Sequence, residues 1–253
     1  MQERGGIMIT YILIFLYGII IGSFLNVCIY RIPRQENIVI TRSHCMKCGN
    51  TLHARDLIPV FSYVFLGGKC KYCKEKVSLQ YPIVEVFNGT LWVITFLIVN
   101  DPVKSILYCL MISGLLVLSV IDWRTFEIPF GINVYLFILG LIRVMVDGIH
   151  YFILLDFALV SGFLLLLFVI TKGRGIGGGD IKLMAAVGLI LGWKHTIVAF
   201  FFGCLYGSVI HIIRMKVSKA DHVLAMGPYL SAGIITAVWF GTRILEWYTA
   251  GWN

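Results

Sequence analysis

Eight apolar runs dominate this sequence and constrain its fold more than any other feature. A helix needs about 20 consecutive apolar residues to cross a bilayer. The runs lie at approximately residues 8–30, 82–99, 105–121, 130–146, 151–171, 181–193, 195–213 and 228–248. Of the 253 residues, 59% are hydrophobic and 13% are charged. No soluble fold of this size could bury so much apolar surface. We therefore predict an all-α polytopic membrane protein with about eight transmembrane helices, and exclude disordered, collagen-like, disulfide-stapled and cytosolic chains.

The run at 181–193 is the shortest, and we expect it to be tilted, partly re-entrant or packed inside protein.

The basic residues between the runs predict the orientation of the chain. With eight spans and the N-terminus outside, sixteen of the 21 Lys and Arg residues fall in inside loops and three fall in outside loops. Membrane proteins keep such residues on the cytoplasmic side. The polar stretch at about residues 31–80 then faces the cytoplasm, between the first and second spans. Its nine basic residues against three acidic ones favour contact with anionic lipid. We expect no nucleic-acid binding, because no nucleic-acid module is recognisable there.

Two CxxC pairs stand in this polar stretch, Cys45 with Cys48 and Cys70 with Cys73, and 21 residues separate them. This spacing is typical of a tetrahedral four-cysteine zinc site, in which each pair of thiolates comes from one tight turn. Two disulfides or four free thiols are the alternatives, although a cytoplasmic loop disfavours disulfides. Because the protein would supply all four ligands, the zinc would be structural. We predict a cytoplasmic four-cysteine zinc-knuckle loop between the first and second helices.

Two aspartates lie at the ends of apolar runs. Asp122 follows the third run, and Asp180 stands between a glycine-rich segment and the run at 181–193. In the predicted orientation both lie at the cytoplasmic edge of the membrane, where an ionisable group is costly and is a candidate for function. Two facing aspartates can share a proton, so that one acts as an acid and the other as a base in peptide hydrolysis.

Each aspartate also has a structural alternative. Asp122 can simply end its helix, and Asp180 can cap the helix that follows. Two further acids, Glu85 and Asp156, are embedded in apolar runs, and we expect them to be hydrogen-bonded partners inside the helix bundle. The glycines before Asp180 would allow a substrate strand or another part of the backbone to approach closely.

Seven motifs, in one order along the chain, resemble those of the bifunctional type IV prepilin leader peptidase and N-methyltransferase family, a group of GxGD-type membrane aspartyl proteases. The resemblance covers nearly the whole chain. The motifs are Gly-Ser-Phe-Leu-Asn-Val at 22–27 with Tyr-Arg-Ile-Pro at 30–33, the paired CxxC sequences, Asp-Leu-Ile-Pro-Val at 56–60, Tyr-Pro-Ile-Val-Glu at 81–85, Asp122 with Ile128-Pro129, Gly-Gly-Gly-Asp-Ile-Lys-Leu at 177–183, and Gly-Pro-Tyr-Leu at 227–230.

The resemblance implies an enzyme with two activities in a bacterial cytoplasmic (inner) membrane. Asp122 and Asp180 would form the catalytic pair that cleaves the basic leader of prepilins and pseudopilins, after a glycine and on the cytoplasmic side. The new N-terminal residue, usually phenylalanine, would then be methylated with S-adenosylmethionine as the methyl donor. Gly177, Gly179 and Glu85 would support these activities. No motif marks the residues that bind S-adenosylmethionine.

The resemblance also implies two regions. Residues 1–100 would be associated with methyl transfer and would carry the zinc-type loop, and residues 101–253 would form the peptidase. The chain departs from the family pattern at Phe130, where Asp or Asn is frequent, and at Ala225-Met226, where Pro-Phe is common. Two alternatives to the family function are a GxGD protease that acts on other membrane substrates, and a zinc-bearing membrane scaffold or transporter subunit without chemistry.

Overall fold

The computed structural model describes residues 2–148, 151–173, 175–218 and 224–251, and within these ranges the chain is helical and contains no strand. Its α-helices are Gln2–Arg31 (α1), Phe61–Phe65 (α2), Gln80–Ile98 (α3), Pro102–Thr125 (α4), Phe130–Asp147 (α5), Ile153–Ile170 (α6), Gly178–Leu191 (α7), Trp193–Ser218 (α8) and Gly227–Ala250 (α9). The all-α prediction is confirmed. Arg174 and Lys219, two of the basic residues assigned to inside loops, lie outside the described residues.

Six helices in the described part of the chain are long and apolar enough to cross a membrane, namely α1, α3, α4, α5, α6 and α8. A multi-pass membrane protein is therefore supported, while the count of eight spans stays a prediction. Helix α7 has only 14 residues, about 21 Å at 1.5 Å per residue, whereas the hydrocarbon core is about 30 Å thick. Every residue of α7 from Leu183 to Leu191 is buried. Packing inside protein, one of the three expectations for this run, is observed, and its tilt and its depth in the membrane stay predictions.

The first compact unit is Met1–Ile98, in which α1 packs closely against α3. Glycines at the contact allow this approach. A Cβ atom at Gly18 would lie 2.6 Å from the Cα of Gly89, and one at Gly22 would lie 2.7 Å from the Cα of Glu85. Small residues are typical where membrane helices pack backbone to backbone. The buried Asn88 strengthens the contact, because its Nδ2 donates a hydrogen bond to the Gly18 carbonyl at 2.7 Å.

The polar stretch of this unit is anchored to the end of α1 by Arg31. This side chain is buried, and it donates hydrogen bonds to the carbonyl oxygens of Asn37, Thr41 and Arg42. One guanidinium thus satisfies three backbone acceptors and ties the start of the loop to the helix end. Arg31 also stands in the basic stretch that the sequence assigns to the cytoplasm, but its guanidinium is used inside the protein.

The second compact unit is Val99–Asn253. Its core is built on α4 and α7: α4 packs against α5 and α9, α7 packs against α5 and α6, and α8 packs along α9. Its largest fully buried side chains include Met111, Ile112, Leu115, Leu118, Leu183, Met184 and Ile190. The embedded acid Asp156 is buried as well. It accepts a hydrogen bond from the Trp193 backbone N–H at 2.8 Å and lies 3.8 Å from Arg143, so it serves packing between helices.

Candidate functional sites

Asp122 lies in the last turn of α4, and only 4% of its surface is exposed. Its Oδ2 accepts a hydrogen bond from the Gly227 backbone N–H at 2.8 Å, which brings the start of α9 against the end of α4. A Cβ atom at residue 227 would lie 2.7 Å from that oxygen and 2.7 Å from the Cδ2 of Leu118. Helix α4 continues to Thr125. Asp122 therefore does not end its helix, and its carboxylate is used in contact with another one.

Asp180 lies in the first turn of α7, three residues after the N-cap Gly177. The Gly177 backbone makes a hydrogen bond that favours the ionised carboxylate, so one part of the side chain serves the helix start as expected for a cap. The other oxygen, Oδ1, is buried and has no hydrogen-bond partner among the described residues. A buried oxygen without a partner is unusual and marks a place for an additional polar group. Capping alone does not account for Asp180.

The two carboxylates interact. Asp180 lies outside the six helices that are long enough to cross a membrane. Burial raises its pKa to about 6, and the negative charge of Asp122 adds to this effect. The charge of Asp122 thus acts on Asp180, although the two acids are 58 residues apart in the sequence. Carboxylates that influence one another titrate as a pair, in which one can hold a proton while the other is ionised.

The segment after Asp122 is joined to the segment before Asp180. A Cβ atom at Gly179 would lie 2.8 Å from the Cβ of Ile128, so only glycine permits the observed approach. Lys182 extends over the Phe130 ring, with its Nζ 5.2 Å from the ring centroid. Phe130 is one of the departures from the family pattern, and here it forms a cation–π contact with the residue two positions after Asp180.

Sequence reasoning missed Asn133, which is buried on α5. Its Nδ2 donates a hydrogen bond to the Gly179 carbonyl at 3.4 Å, and its Oδ1 is buried without a hydrogen-bond partner in the described part of the chain. Tyr229 was named only as part of a sequence motif. Its hydroxyl is also buried and has no hydrogen-bond partner among the described residues. A lone amide in an apolar run could have drawn attention to Asn133.

The four cysteines of the CxxC pairs come together in the N-terminal unit. Their Sγ atoms all lie within 4.8 Å of one another, and those of Cys45 and Cys73 are 3.8 Å apart. Tetrahedral zinc with Zn–S bonds of about 2.3 Å places sulfur atoms about 3.8 Å apart. All described cysteines are free, so the disulfide alternative is not observed. The residues present fit a zinc site with four thiolate ligands.

Each CxxC pair occupies the same kind of turn. The Gly49 N–H donates a hydrogen bond to the Cys45 carbonyl, and the Lys74 N–H donates to the Cys70 carbonyl. Gly49 and Lys74 both have positive φ, 71° and 61°. Hydrogen bonds from the Cys48 and Lys47 backbone N–H groups lower the pKa of the Cys45 thiol to about 6, whereas burial and hydrogen bonds with the other three cysteines raise the pKa of the Cys73 thiol to about 11. A lowered pKa favours the thiolate, which is the form that binds a metal ion.

A cavity of about 590 Å³ lies in the N-terminal unit. Helices α1 and α3 supply one wall, and the polar stretch supplies the other. Cys45 and Cys70, one from each CxxC pair, also line it. Ligand sites in proteins usually have volumes of about 300–1,000 Å³ and combine apolar walls with a few fixed polar groups. The cavity is thus of the size and composition of a site for a small molecule.

Glu85 is the buried acid of this cavity, with 5% of its surface exposed. Its Oε2 accepts a hydrogen bond from the Val60 backbone N–H at 2.7 Å, and Ser23 makes a side-chain hydrogen bond to the same carboxyl group. Sequence reasoning named Glu85 as a supporting residue, but neither its place in a cavity wall nor its contact with Val60 is visible in the sequence. That contact spans 25 residues of the chain.

Comparisons with known proteins agree with the motifs. Residues 109–212 match the type IV leader peptidase family, and residues 16–99 match the bacterial peptidase A24 N-terminal domain. The chain therefore belongs to the type IV leader peptidase family. No solved structure matches it.

Curated relatives cover nearly the whole chain. It is 33% identical to a prepilin leader peptidase/N-methyltransferase of Bacillus subtilis (strain 168), over 93% of this chain and 96% of that protein. Relatives with the same name from Pseudomonas aeruginosa and Aeromonas salmonicida (strain A449) are 31% and 28% identical, over 92% and 93% of this chain and 91% and 92% of those proteins.

Proposed function

We propose that this chain matures prepilins and pseudopilins in two steps, by cleaving the basic leader after a glycine and then methylating the new N-terminal amine. The observation that carries the first step is the pair formed by the buried Asp122 and the half-buried Asp180, whose pKa is raised in part by the charge of Asp122. The names of the relatives support both steps, since each combines leader peptidase with N-methyltransferase. Residues 101–253 hold the pair, and residues 1–100 hold the cysteine cluster and the cavity.

In cleavage, the two aspartates divide the acid and base roles. Asp180, whose pKa is raised to about 6, is the carboxyl that keeps its proton. Asp122 is the ionised partner, because the Gly227 N–H donates a hydrogen bond to its Oδ2 and stabilises negative charge there. Asp122 takes a proton from water, whose oxygen attacks the scissile carbonyl carbon. Asp180 gives its proton to the leaving nitrogen, which becomes the new N-terminal amine.

The predicted membrane location of the aspartate pair suits substrates that have a hydrophobic stem. In the orientation predicted from the basic loops, the end of α4 and the start of α7 lie at the cytoplasmic edge of a bacterial inner membrane, with the N-terminus of the chain outside. A pilin precursor can keep its hydrophobic stem in the bilayer while the polar cleavage point reaches this edge. The basic stretch after α1 would repel a basic leader. We therefore assign this stretch to contact with anionic lipid, which it attracts.

The second step uses S-adenosylmethionine. When bound, this cofactor would supply the methyl group for the amine nitrogen, and its sulfur would leave as a neutral thioether. The amine must be neutral and water must be kept away from it. The aspartate pair requires water, so we assign the two steps to different sites. Zinc at Cys45, Cys48, Cys70 and Cys73 would hold the loop together.

The aspartate pair is tested by Asp122→Asn and Asp180→Asn. Each variant should lose leader cleavage by about 10³-fold or more, because neither half of an acid–base pair works alone. The measurement is cleavage of a purified prepilin in detergent, followed by mass spectrometry. Glu127→Gln is the matched control, since Glu127 is exposed and only five residues from Asp122. Near-normal cleavage by a well-folded aspartate variant would contradict the assignment. A wild-type protein that cleaves no prepilin would indicate a scaffold without chemistry.

A further inference from the structure

The cavity in the N-terminal unit has an uneven distribution of charge. Of the acids that line it, Asp56 is paired with Lys71 at 3.1 Å and Glu75 is exposed. Glu85 is buried and makes no ion pair with any described residue. Hydrogen bonds from Val60 and Ser23 offset part of the cost of burying this carboxyl group, and a positively charged group bound beside it would offset more. The helix side of the cavity is thus suited to a small cation.

The backbone that holds Glu85 is strained. Val60 has φ 61° and ψ −52°, and the Phe61 N–H donates a hydrogen bond to the Pro59 carbonyl at 2.6 Å, which closes a three-residue turn around it. A β-branched residue at positive φ costs on the order of 1–3 kcal/mol, and such strain collects at ligand and catalytic sites. Here the turn directs the Val60 N–H to the Glu85 carboxylate, whose orientation is therefore set without any ligand.

The rest of the cavity has the complementary chemistry. Aromatic and apolar side chains form part of its wall, among them Phe24, Val27, Tyr63 and Tyr81, and they suit a flat heterocycle. The loop side carries basic residues that can pair with a carboxylate, namely Lys47, Lys69 and Lys76. A ligand for these walls has a positive centre, a carboxylate and an aromatic ring. S-adenosylmethionine has all three, in its sulfonium, its amino-acid end and its adenine.

We infer that this cavity is the S-adenosylmethionine site of the protein, with Glu85 facing the positively charged sulfur. The inference rests on the methyl transfer proposed above and assigns it a place. It also gives the zinc a role in that step, because Cys45 and Cys70 form part of the cavity wall. The binding machinery is then Glu85 with its Val60 and Ser23 hydrogen bonds, the aromatic wall and the loop lysines.

The test compares two probes that differ in charge at sulfur, S-adenosylmethionine and the neutral S-adenosylhomocysteine. Their affinities for the purified full-length protein are measured by calorimetry. Glu85→Gln keeps the size of the side chain and removes its charge, so it should weaken S-adenosylmethionine binding by about tenfold or more, as for one member of a buried charge pair. Binding of S-adenosylhomocysteine should change less than about threefold, because its sulfur makes only neutral contacts.

A second variant tests the cavity itself. Val27→Trp places a large ring in the space beside the half-buried Val27, and both probes should lose affinity. Ile20→Trp on an exposed part of α1 is the matched control, and it should bind both probes like the wild type. Zinc content reports on folding of the unit in every variant.

The outcomes separate the inference from the proposed function. If the wild type binds and methylates a pre-cleaved peptide but folded Val27→Trp binds as tightly, the site lies elsewhere. Equal affinity of Glu85→Gln and wild type for S-adenosylmethionine, or loss confined to binding of the peptide amine, would overturn the role of Glu85. A wild-type protein that neither binds the cofactor nor methylates the peptide would overturn the methyl transfer itself.

Discussion

At the scale of single residues, glycine determines how closely the catalytic elements approach. Gly227 permits the hydrogen bond to Asp122, and Gly179 permits the contact of the α7 start with Ile128. In each case a Cβ atom would lie under 3.0 Å from a neighbouring atom. These glycines are needed for space, and the sequence pattern of the motifs reflects a packing requirement as much as a chemical one.

Gly227→Ala tests this requirement. The added methyl group would lie 2.7 Å from the Asp122 Oδ2, so the carboxylate or α9 must move. Overpacking of this kind costs about 1–3 kcal/mol. We expect a lower melting temperature and at least about a tenfold loss of cleavage, because catalysis is sensitive to small displacements. Gly131→Ala on α5 is the control, since its Cβ would have nothing within 4 Å. Normal cleavage by Gly227→Ala would show that this contact does not position Asp122.

The pKa of Asp180 predicts the pH dependence of cleavage. Asp180 must be protonated to act as the acid, and its pKa is raised from 3.8 to about 6, by burial first and then by the charge of Asp122. In the free enzyme, kcat/KM should therefore fall as the pH rises through about 6. It should also fall in acid, where Asp122 takes up a proton. The expected profile is a bell, and Glu127→Gln should keep the same bell. A rate that is flat from about pH 4 to pH 9 would rule out a shared proton.

At the scale of elements, one short helix and two short turns position the residues of the candidate sites. Helix α7 is shorter than the hydrocarbon core is thick, and it is buried from Leu183 to Leu191 and carries Asp180 in its first turn. The two cysteine turns are short as well, and they match one another, with Gly49 and Lys74 in equivalent positions of positive φ. Positive φ is common for glycine, as at Gly49, whereas nothing about Lys74 predicts a left-handed conformation.

The cysteine turns predict a metal content. The purified protein should hold about one zinc per chain, and replacing Cys45, Cys48, Cys70 or Cys73 by Ser should release it, since a structural site needs all four thiolates. Metal analysis of each variant is the measurement. Cys204→Ser is the matched control, because this half-buried cysteine stands outside the cluster. Unchanged zinc in all four variants would refute the site.

At the scale of the whole molecule, the chain separates into two compact units, and the two proposed activities use residues of different units. The cysteine cluster and the cavity lie within Met1–Ile98, and the aspartate pair lies within Val99–Asn253. The residues named for each site all belong to one unit. Independent loss of either activity is therefore expected.

Asp180→Asn provides the test of independence. This variant should still methylate a pre-cleaved pilin peptide with a free N-terminal phenylalanine, at a rate within about threefold of the wild type, because methyl transfer needs no acid–base pair for water. The measurement is the mass of the peptide N-terminus. Removal of zinc from the wild type is the reciprocal experiment, and it should impair methylation more than cleavage. Loss of methylation by Asp180→Asn as complete as its loss of cleavage, with zinc intact, would disprove two separate sites.

Local sequence patterns were sufficient to predict the class of the fold and to name the candidate residues of both sites. Long apolar runs can satisfy their backbone hydrogen bonds in a membrane only as helices or closed barrels. The spacing of Cys45, Cys48, Cys70 and Cys73 indicated a metal site, because thiolate pairs of this kind are a local property of two turns. Asp122 and Asp180 were named because an acid beside an apolar run is costly.

Which distant groups meet depends on packing that no local pattern reveals. The contact of Asp122 with Gly227, the interaction of Asp122 with Asp180, and the hydrogen bond from Val60 to Glu85 join residues that are far apart in the chain. The cavity, and the contact of Asn133 with the Gly179 carbonyl, were invisible for the same reason. Periodicity and spacing report on local conformation, whereas a cavity or an unpartnered oxygen depends on packing between helices.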